Sequence, residues 1–148
     1  VLSPYEVITY IYIKKPESSL LSSSAYEELG KRIGNIIPIV SSAVKIAAED
    51  LNDKLTIKDV KIALGSVAPI PIRALSAERE FLGISVDKRD IINDEIFNKV
   101  FNERCSKVVR DISPITDFRA SKEYRIAMSI KLTCKALKKA VMRLLGDY

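Results

Sequence analysis

The N-terminal part of the sequence alternates β-branched and aromatic side chains in a pattern typical of a strand. Over residues 5–14 one parity holds Val7, Thr9, Ile11 and Ile13, and the other holds Ile8, Tyr10 and Tyr12. Such residues fit the pleated surface of a sheet, so this stretch is predicted as the first strand. The dipeptide before Pro16 ends it, and the serine-rich residues 17–24 are predicted as a loop.

Two more strands are predicted. One is the extended stretch of about residues 36–48, which holds Ile39, Val40, Val44 and Ile46, and the other covers about residues 55–66, whose early part alternates apolar and polar positions. The polar stretch 49–54 between them, centred on Asn52 and Asp53, is typical of a hairpin turn. Because no helical pattern separates these strands, we expect them to pair in antiparallel.

Three helices are predicted after the strands. The first covers residues 73–82, follows two closely spaced prolines and ends at Gly83 in a left-handed cap. The second covers residues 94–110 with Asn93 as its N-cap. The third covers residues 121–145 and has the clearest amphipathic pattern in the chain.

The two longer helices each have one apolar face at the three-and-four spacing of an amphipathic helix. That face consists of Phe97, Phe101, Cys105, Val108 and Ile112 in the second helix, and of Ala127, Ile130, Cys134, Leu137, Val141 and Leu144 in the third. Strands followed by helices indicate an α+β fold, in which a small antiparallel sheet of three to four strands packs against three α-helices. With 148 residues the chain is predicted to be a single domain, residues 1–148.

Composition excludes several classes of chemistry. The sequence has no histidine, so Ser/His and Cys/His catalysis are excluded. Cys105 and Cys134 form no CxxC pair, so we expect no zinc site or iron–sulfur cluster and interpret both as buried thiols. No apolar run approaches the ~18 residues of a membrane span, and residues 1–10 do not resemble a secretory signal. A cytoplasmic location is therefore expected.

The excess of positive charge lies at the C-terminal end. Residues 119–148 hold eight bases and two acids, whereas the other 118 residues hold 16 bases and 17 acids. Lys131, Lys135, Lys138 and Lys139 share one face of the last helix. This face is interpreted either as solvated or as a docking surface for an acidic partner subunit. Nucleic-acid binding is a weaker interpretation, because interleaved aromatic residues are missing.

Four segments follow the order and spacing of motifs from one family. They are YEVITYIYI at residues 5–13, AYEELGKRIGN at 25–35, IALGSVAPIPIRALSAEREFLG at 62–83 and ISPITDFRASKEYR at 112–125. They resemble the C-terminal domain of the FAD-binding (medium) subunit of the xanthine dehydrogenase / carbon monoxide dehydrogenase family of molybdenum hydroxylases. The third segment, similar to the family pattern ALGGVAPTPVRA, is the most distinctive.

The resemblance implies an antiparallel sheet beside a three-helix bundle. It also implies an oxidoreductase that passes electrons from a molybdenum centre through two 2Fe-2S clusters to FAD, with these groups on other chains. The chain itself is then a non-catalytic structural or assembly domain, or a small subunit, that binds no cofactor alone and helps to complete the flavin subunit. The implied partners are an FAD-binding half and the molybdenum and iron–sulfur subunits; a homo-oligomer stays open, and neither a membrane nor nucleic acid is expected as a partner.

The sequence departs from the family pattern in two ways. None of the five glycines forms a GxGxxG phosphate loop, and we expect the N-terminal FAD-binding region to be absent. A separate small subunit, a fragment and a decayed paralogue are all compatible with that. The lysine of the family's Y-x-K-L motif, thought to approach the flavin, is Glu28 here, and the acidic residue after the family's glycine is Ile36.

Two groups of residues are candidate sites. Tyr26, Glu28, Lys31 and Arg32 form a candidate flavin-edge segment, with a solvated loop as the alternative. Arg119, Ser121, Tyr124 and Arg125 are interpreted as a structural motif: the serine caps the last helix, the tyrosine packs at its first turn, and the arginines bind loop carbonyls and carboxylates such as Asp117. No catalytic or metal-binding residue is predicted. Two other functions stay open: an orphan protein-interaction module that no longer binds flavin, and an unspecific nucleic-acid binder through the basic C-terminal helix.

Overall fold

The computed structural model of this chain describes residues 2–13, 20–32 and 37–146. Within them lie five strands and four α-helices. The strands are β1 (Leu21–Leu29), β2 (Val40–Leu51), β3 (Lys54–Gly65), β4 (Ile72–Arg73) and β5 (Ser85–Asp87). The helices are α1 (Leu75–Phe81), α2 (Lys88–Ile92), α3 (Asp94–Ser106) and α4 (Lys122–Leu144), with a 3₁₀ turn over Lys107–Arg110.

The strands form one antiparallel sheet in the order β1-β2-β3-β4, and β5 pairs with the opposite end of β3. The long hairpin of β2 and β3 turns at Asn52, whose φ of 55° lies in the left-handed region. This confirms the turn predicted at residues 49–54 and both strands beside it. The start predicted at residue 36 lies outside the described residues.

The sheet and the helices share one hydrophobic core, which confirms the α+β fold. Helix α4 packs on β1 and β2, and α1 packs on β3. Three fully buried aromatic rings join α1 to α3: Phe97 and Phe101 stack with their centroids 4.3 Å apart, and Phe81 lies 5.8 Å from Phe101. Because α4 covers the two strands at one end of the sheet order, it fixes β1 in position.

The first predicted strand is wrong. Residues 5–13 are exposed and form no strand, and residues 14–19 lie outside the described residues. The first strand is β1, which begins inside the serine-rich stretch that was predicted as a loop. Small side chains suit β1 because α4 lies directly against it, where Ser23 Oγ donates a hydrogen bond to Ala140 O. Pairing with β2 over nine residue pairs outweighs the weak strand preference of the serines.

The predicted helices are found close to their expected ends. Gly83 follows α1 with a φ of 77°, and the side chain of Asn93 caps α3 by accepting from the backbone N–H groups of Glu95 and Ile96. The second predicted helix is divided, because the α-helix gives way to the 3₁₀ turn at Lys107. The short β4, α2 and β5 were not predicted, since two to five residues are too few to show a periodicity.

The buried face of α4 is wider than predicted. Ala127 was expected to point inward but is exposed. Polar residues are buried instead, and the hydroxyl groups of Ser42 on β2 and Thr133 on α4 form a buried hydrogen bond of 3.2 Å. A helix that lies flat on a sheet buries more than a narrow stripe, so small polar residues can join its contact face.

The prediction of two separate thiols is also wrong. Cys105 on α3 and Cys134 on α4 form a disulfide, with their Cα atoms 5.8 Å apart. Both residues lie on the buried sides of their helices, so the packing of α3 against α4 brings the two sulfur atoms together. None of the helices in the described part of the chain is long and apolar enough to cross a bilayer.

Candidate functional site

Three loops meet at one end of the sheet, and we call this region the loop end. It consists of the described parts of the loop between β1 and β2 (residues 30–32 and 37–39), the loop after β3 (residues 66–71) and the loop before α4 (residues 113–121). The antiparallel register brings the end of β1, the start of β2 and the end of β3 to this side. Arg125, in the first turn of α4, is only 4% exposed and lies beneath the loops. Its Nη1 donates to Ile39 O at 2.6 Å and to Ser66 O at 2.9 Å, and its Nη2 donates to Asp117 Oδ1 at 2.8 Å. One guanidinium group therefore ties three loops together.

Asp117 organises the loop that leads into α4. Its Oδ1 also accepts hydrogen bonds from the backbone N–H groups of Arg119 at 2.9 Å and Ala120 at 3.1 Å. The hydrogen bond from Arg125 and those two N–H groups outweigh the desolvation and lower the pKa of the Asp117 carboxyl group to about 2. The carboxylate therefore stays ionised at neutral pH and holds the loop.

The 113–121 loop is fixed at both ends and yet presents apolar side chains to solvent. Ser113 N donates to Val67 O at 3.0 Å, and Lys122 N donates to Thr116 Oγ1 at 3.0 Å. Between these anchors Ile115 is 72% exposed and Phe118 is 87% exposed. Folding thus holds two large apolar groups in positions where this chain does not bury them.

The four residues predicted as a structural motif occupy different positions at the loop end. Ser121 is the N-cap of α4, as predicted, and its Oγ accepts from Tyr124 N at 3.2 Å. Arg125 is buried, whereas the Arg119 guanidinium lies 5.2 Å from the centroid of the Phe118 ring. Tyr124 is 46% exposed, so its ring is only partly packed. The hydrogen bonds are those of a scaffold, because they connect loops and cap a helix.

The candidate flavin-edge residues lie on β1 and in the loop that follows it. Tyr26 is half exposed, and its hydroxyl group donates to Glu28 Oε2 at 2.8 Å. Burial, and then the hydrogen bond to the Glu28 carboxylate, raise the pKa of Tyr26. Lys31 Nζ donates to the backbone oxygen of Phe118 at 3.3 Å, so it reaches the loop end, and Arg32 is exposed next to it in the chain. The four residues therefore do not form one cluster.

Strand register adds residues to this region that the sequence analysis missed. Ala43 lies opposite Tyr26, and Ala63 lies opposite Ala43, on the outer face of the sheet. In the adjacent row Lys45 and Lys61 lie opposite each other on the same face. Tyr26 therefore stands beside a floor of small side chains that is flanked by two cations. Strand pairing is the signal that identifies these neighbours, and it cannot be obtained from spacing within one strand.

The lysines of α4 do not form one uniform basic surface. Glu27 on β1 is 10% exposed and pairs with Lys135 Nζ at 2.8 Å and with Lys139 Nζ at 3.2 Å. Burial alone would raise the pKa of Glu27, but the hydrogen bonds from these two lysines outweigh it and lower that pKa. Lys138 Nζ lies 5.5 Å from the centroid of the Phe97 ring, and Lys131 is exposed. Two of the four lysines thus attach α4 to the sheet.

The described residues contain no group of three or more histidine, cysteine, aspartate or glutamate side chains that could hold a metal ion. The model of the family described as "CO dehydrogenase flavoprotein C-terminal domain" matches residues 24–140. The chain is also 29% identical over 116 residues to the glyceraldehyde dehydrogenase medium chain of Sulfolobus acidocaldarius, which covers 78% of this chain and 36% of that protein.

Solved structures of related oxidoreductases also align with this chain. A carbon monoxide dehydrogenase from Hydrogenophaga pseudoflava, in a form that lacks the Mo-pyranopterin moiety of the molybdenum cofactor, aligns with a TM-score of 0.66 and 25% identity, covering 83% of this chain and 38% of that chain. Quinoline 2-oxidoreductase from Pseudomonas putida 86 aligns with a TM-score of 0.61 and 18% identity, covering 87% and 38%, which shows a shared fold. The chain thus spans little more than a third of the length of these relatives.

Proposed function

Because the chain belongs to the CO dehydrogenase flavoprotein C-terminal domain family, we propose that it is a non-catalytic assembly domain or small subunit of a molybdenum- and FAD-dependent oxidoreductase. Its role is to complete the flavin subunit of that enzyme. The observation that carries this proposal is the loop end, where the ion pair of the buried Arg125 with Asp117 fixes loops that present Ile115 and Phe118 to solvent.

A fixed loop with exposed apolar side chains favours a contact surface. Ordering a mobile loop at the moment of association costs free energy, whereas the Asp117–Arg125 pair orders this loop when the domain folds. Aromatic side chains near the centre of an interface also contribute much of its binding energy. Phe118, exposed in the 113–121 loop beside the Arg119 guanidinium, is placed to serve in that way.

The proposed partners are the FAD-binding half of the flavin subunit and the molybdenum and iron–sulfur subunits. The chain covers 38% of the carbon monoxide dehydrogenase chain that it aligns with. In this proposal the remainder of such a chain supplies the surface that contacts the loop end. FAD, the molybdenum cofactor and the 2Fe-2S clusters are then carried by those other parts. In this proposal the chain contributes binding contacts and holds the other parts in position, and it carries out no step of the reaction.

Contact with the flavin is limited, in this proposal, to an edge near Tyr26. The small side chains of Ala43 and Ala63 leave room for a flat ring beside the tyrosine. Glu28 would repel the negative charge of a reduced flavin, while Lys45 and Lys61 would offset that repulsion. Since only a minor edge of the cofactor is contacted, we expect the chain alone to bind FAD no more tightly than about 10 µM, as measured by fluorescence titration.

The assembly role is tested by affinity purification of the tagged chain from its source cells. We expect recovery of a molybdenum-binding large chain, a ferredoxin-like small chain and a flavin-containing chain. Phe118→Asp should abolish their recovery without changing the melting temperature, because the ring is exposed in the isolated domain. Ile92→Asp, on α2 and 60% exposed, is the matched control and should retain the partners.

The second candidate is an interaction module that has lost its link to flavin, which the Glu28 carboxylate at the flavin-edge position favours. The same purification separates the two functions, because such a module would recover proteins without molybdenum, iron or flavin. Unspecific binding to nucleic acid is a weaker alternative, since Glu27 already pairs with two of the α4 lysines. Affinity for DNA or RNA that disappears at about 200 mM salt, without sequence preference, would identify it.

A further inference from the structure

The first strand of the sheet has one open edge. Among the described strands β1 pairs with β2 alone, so no strand of this sheet takes up the hydrogen-bonding groups on its other side. The part of β1 from Leu21 to Tyr26 contains no charged residue and no proline, which are the residues that usually protect an edge from further pairing. This edge therefore has the properties of a pairing surface.

The hydrogen bonds of β3 show which residues of β1 point towards the open edge. Ile62 N donates to Glu78 Oε1 at 2.8 Å and Ile62 O accepts from Ala74 N at 2.9 Å, so the backbone groups of Ile62 face away from β2. Val44, opposite Ile62, therefore turns its backbone groups towards β1, where Ala25 is its partner. Because the direction alternates along an antiparallel pair, the even-numbered residues of β1 direct their N–H and C=O groups outwards.

A guanidinium group already occupies one position along this edge. Arg143, in the last turn of α4, donates from Nη1 to Ser24 O, which is one of the outward-facing carbonyl oxygens. It thereby takes the place of the N–H donor that a neighbouring strand would supply. At this point the helix and the strand edge form one continuous surface.

Positive charge lies on both faces of the sheet beside the edge. On the helix side Lys135 and Lys139 share a single carboxylate, that of Glu27, and Arg143 lies one turn further along α4. On the other face Lys45 lies on β2 directly opposite the serine that Arg143 contacts. Within the described part of the chain neither Arg143 nor Lys45 forms an ion pair. The charge beside the edge is therefore positive.

These charges distinguish between possible occupants of the edge. If the β1 strands of two copies paired in antiparallel, their α4 helices would lie side by side on one face, because α4 covers both β1 and β2. The side of α4 that reaches β1 carries Lys135, Lys139 and Arg143, so like charges would face each other. A strand that carries carboxylates would instead be attracted from both faces.

We propose that the open edge of β1 binds an extended acidic segment of a partner chain as an additional strand. The outward-facing backbone groups of Ser22, Ser24 and Tyr26 pair with the segment, whose carboxylates contact Arg143 and Lys45. An N–H group of the segment takes over the carbonyl oxygen of Ser24, which frees the guanidinium group for a carboxylate. This interaction is additional to that of the loop end and does not depend on the flavin subunit.

Titration of the full chain with two nine-residue peptides tests this inference. One peptide alternates glutamate with threonine, and the other has lysine in place of each glutamate. At low salt the acidic peptide should bind with a dissociation constant of about 10–100 µM, and the basic peptide should bind at least about tenfold more weakly. In hydrogen exchange of the free chain the amides of Ser24 and Tyr26 should exchange faster than that of Ala25, and the acidic peptide should slow both by at least about tenfold.

Two substitutions examine the backbone and the charge separately. Ser24→Pro removes an outward-facing N–H group but no hydrogen bond to β2, so it should lower the affinity for the acidic peptide by about tenfold, whereas the control Ser24→Ala should retain it. Arg143→Glu should shift the preference towards the basic peptide. Arg110→Glu makes the same change of charge on the 3₁₀ turn, which packs on α1, α3 and α4, and should leave the preference unchanged.

A modified peptide makes the test independent of the folding of Ser24→Pro. The acidic peptide methylated on every amide nitrogen keeps its charge but cannot donate hydrogen bonds, and it should not bind the unchanged chain. Equal binding of the acidic and basic peptides, absence of binding, or binding that survives methylation would each refute strand addition by an acidic segment. Sedimentation of the free chain as a dimer with the amides of Ser24 and Tyr26 protected would assign the edge to a second copy and overturn the inference.

Discussion

Arg125→Met is the sharpest test of the loop end. The substitution keeps an unbranched apolar side chain but removes the guanidinium group and its hydrogen bonds to Ile39 O, Ser66 O and Asp117. Removing the buried guanidinium leaves the carbonyl groups of Ile39 and Ser66 and the partly exposed Asp117 carboxylate without their donor. A buried acceptor left unpaired typically costs about 1–3 kcal/mol. For a domain of this size we expect a fall in melting temperature of about 10 °C.

Urea unfolding followed by circular dichroism measures the loss of stability directly. Arg119→Met is the matched control, because that guanidinium lies over the Phe118 ring at the surface of the same loop and its removal should change the stability by less than about 0.5 kcal/mol. Arg125→Lys should recover only part of the stability, since an ammonium group cannot reach three acceptors in the planar geometry of a guanidinium. A loss below about 1 kcal/mol for Arg125→Met would refute the argument that this residue holds the three loops.

Three further predictions test other contacts. Because the pKa of Asp117 is lowered from 3.8 to about 2, the contribution of its carboxylate to stability is complete above pH 3.8 and is lost as the pH falls towards 2. Asp117→Asn should therefore flatten the dependence of stability on pH in that window, as measured by thermal melts from about pH 2 to 6. Reduction of the disulfide that joins Cys105 and Cys134, 29 residues apart, should lower the free energy of unfolding by about 3–4 kcal/mol in urea titrations. Thiols that react in the unreduced native protein would contradict the cross-link. Glu27→Gln should cost about 1–2 kcal/mol because it removes the negative charge and one of the two oxygen atoms that accept from two lysines of α4. The same titration at high salt should show a smaller difference.

The helices could be predicted well because their signals are local. The caps at Asn93 and Ser121 depend on residues two or three positions away, and the left-handed residue Gly83 needs no distant partner. Likewise, the proximity of Asp117 and Arg125 along the chain made their ion pair predictable. The third acceptor site, at Ile39, is 86 residues away from Arg125, and no pattern within a helix could reveal it.

The basic face of α4 shows why residue spacing alone was insufficient for the candidate site. The periodicity correctly placed Lys135 and Lys139 on one side of the helix, but their acceptor is Glu27, more than a hundred residues earlier. The disulfide is similar, because its two halves lie on different helices and meet only through packing. Two of the four lysines in the predicted docking surface therefore form ion pairs within the domain, and the two cysteines predicted as thiols form a disulfide within it.

The first strand of the sheet is β1 and not the strand predicted at residues 5–14, and this difference has a physical basis. Residues 7–13 have a stronger strand preference than β1, whose first part is LSSSA, yet β1 occupies the sheet. Small side chains let α4 approach β1, and bulky residues in that position would hold the helix away from the sheet and open the core. The sequence prediction at residues 5–14 therefore failed because the strand preference of one segment does not report how closely a helix must approach the sheet.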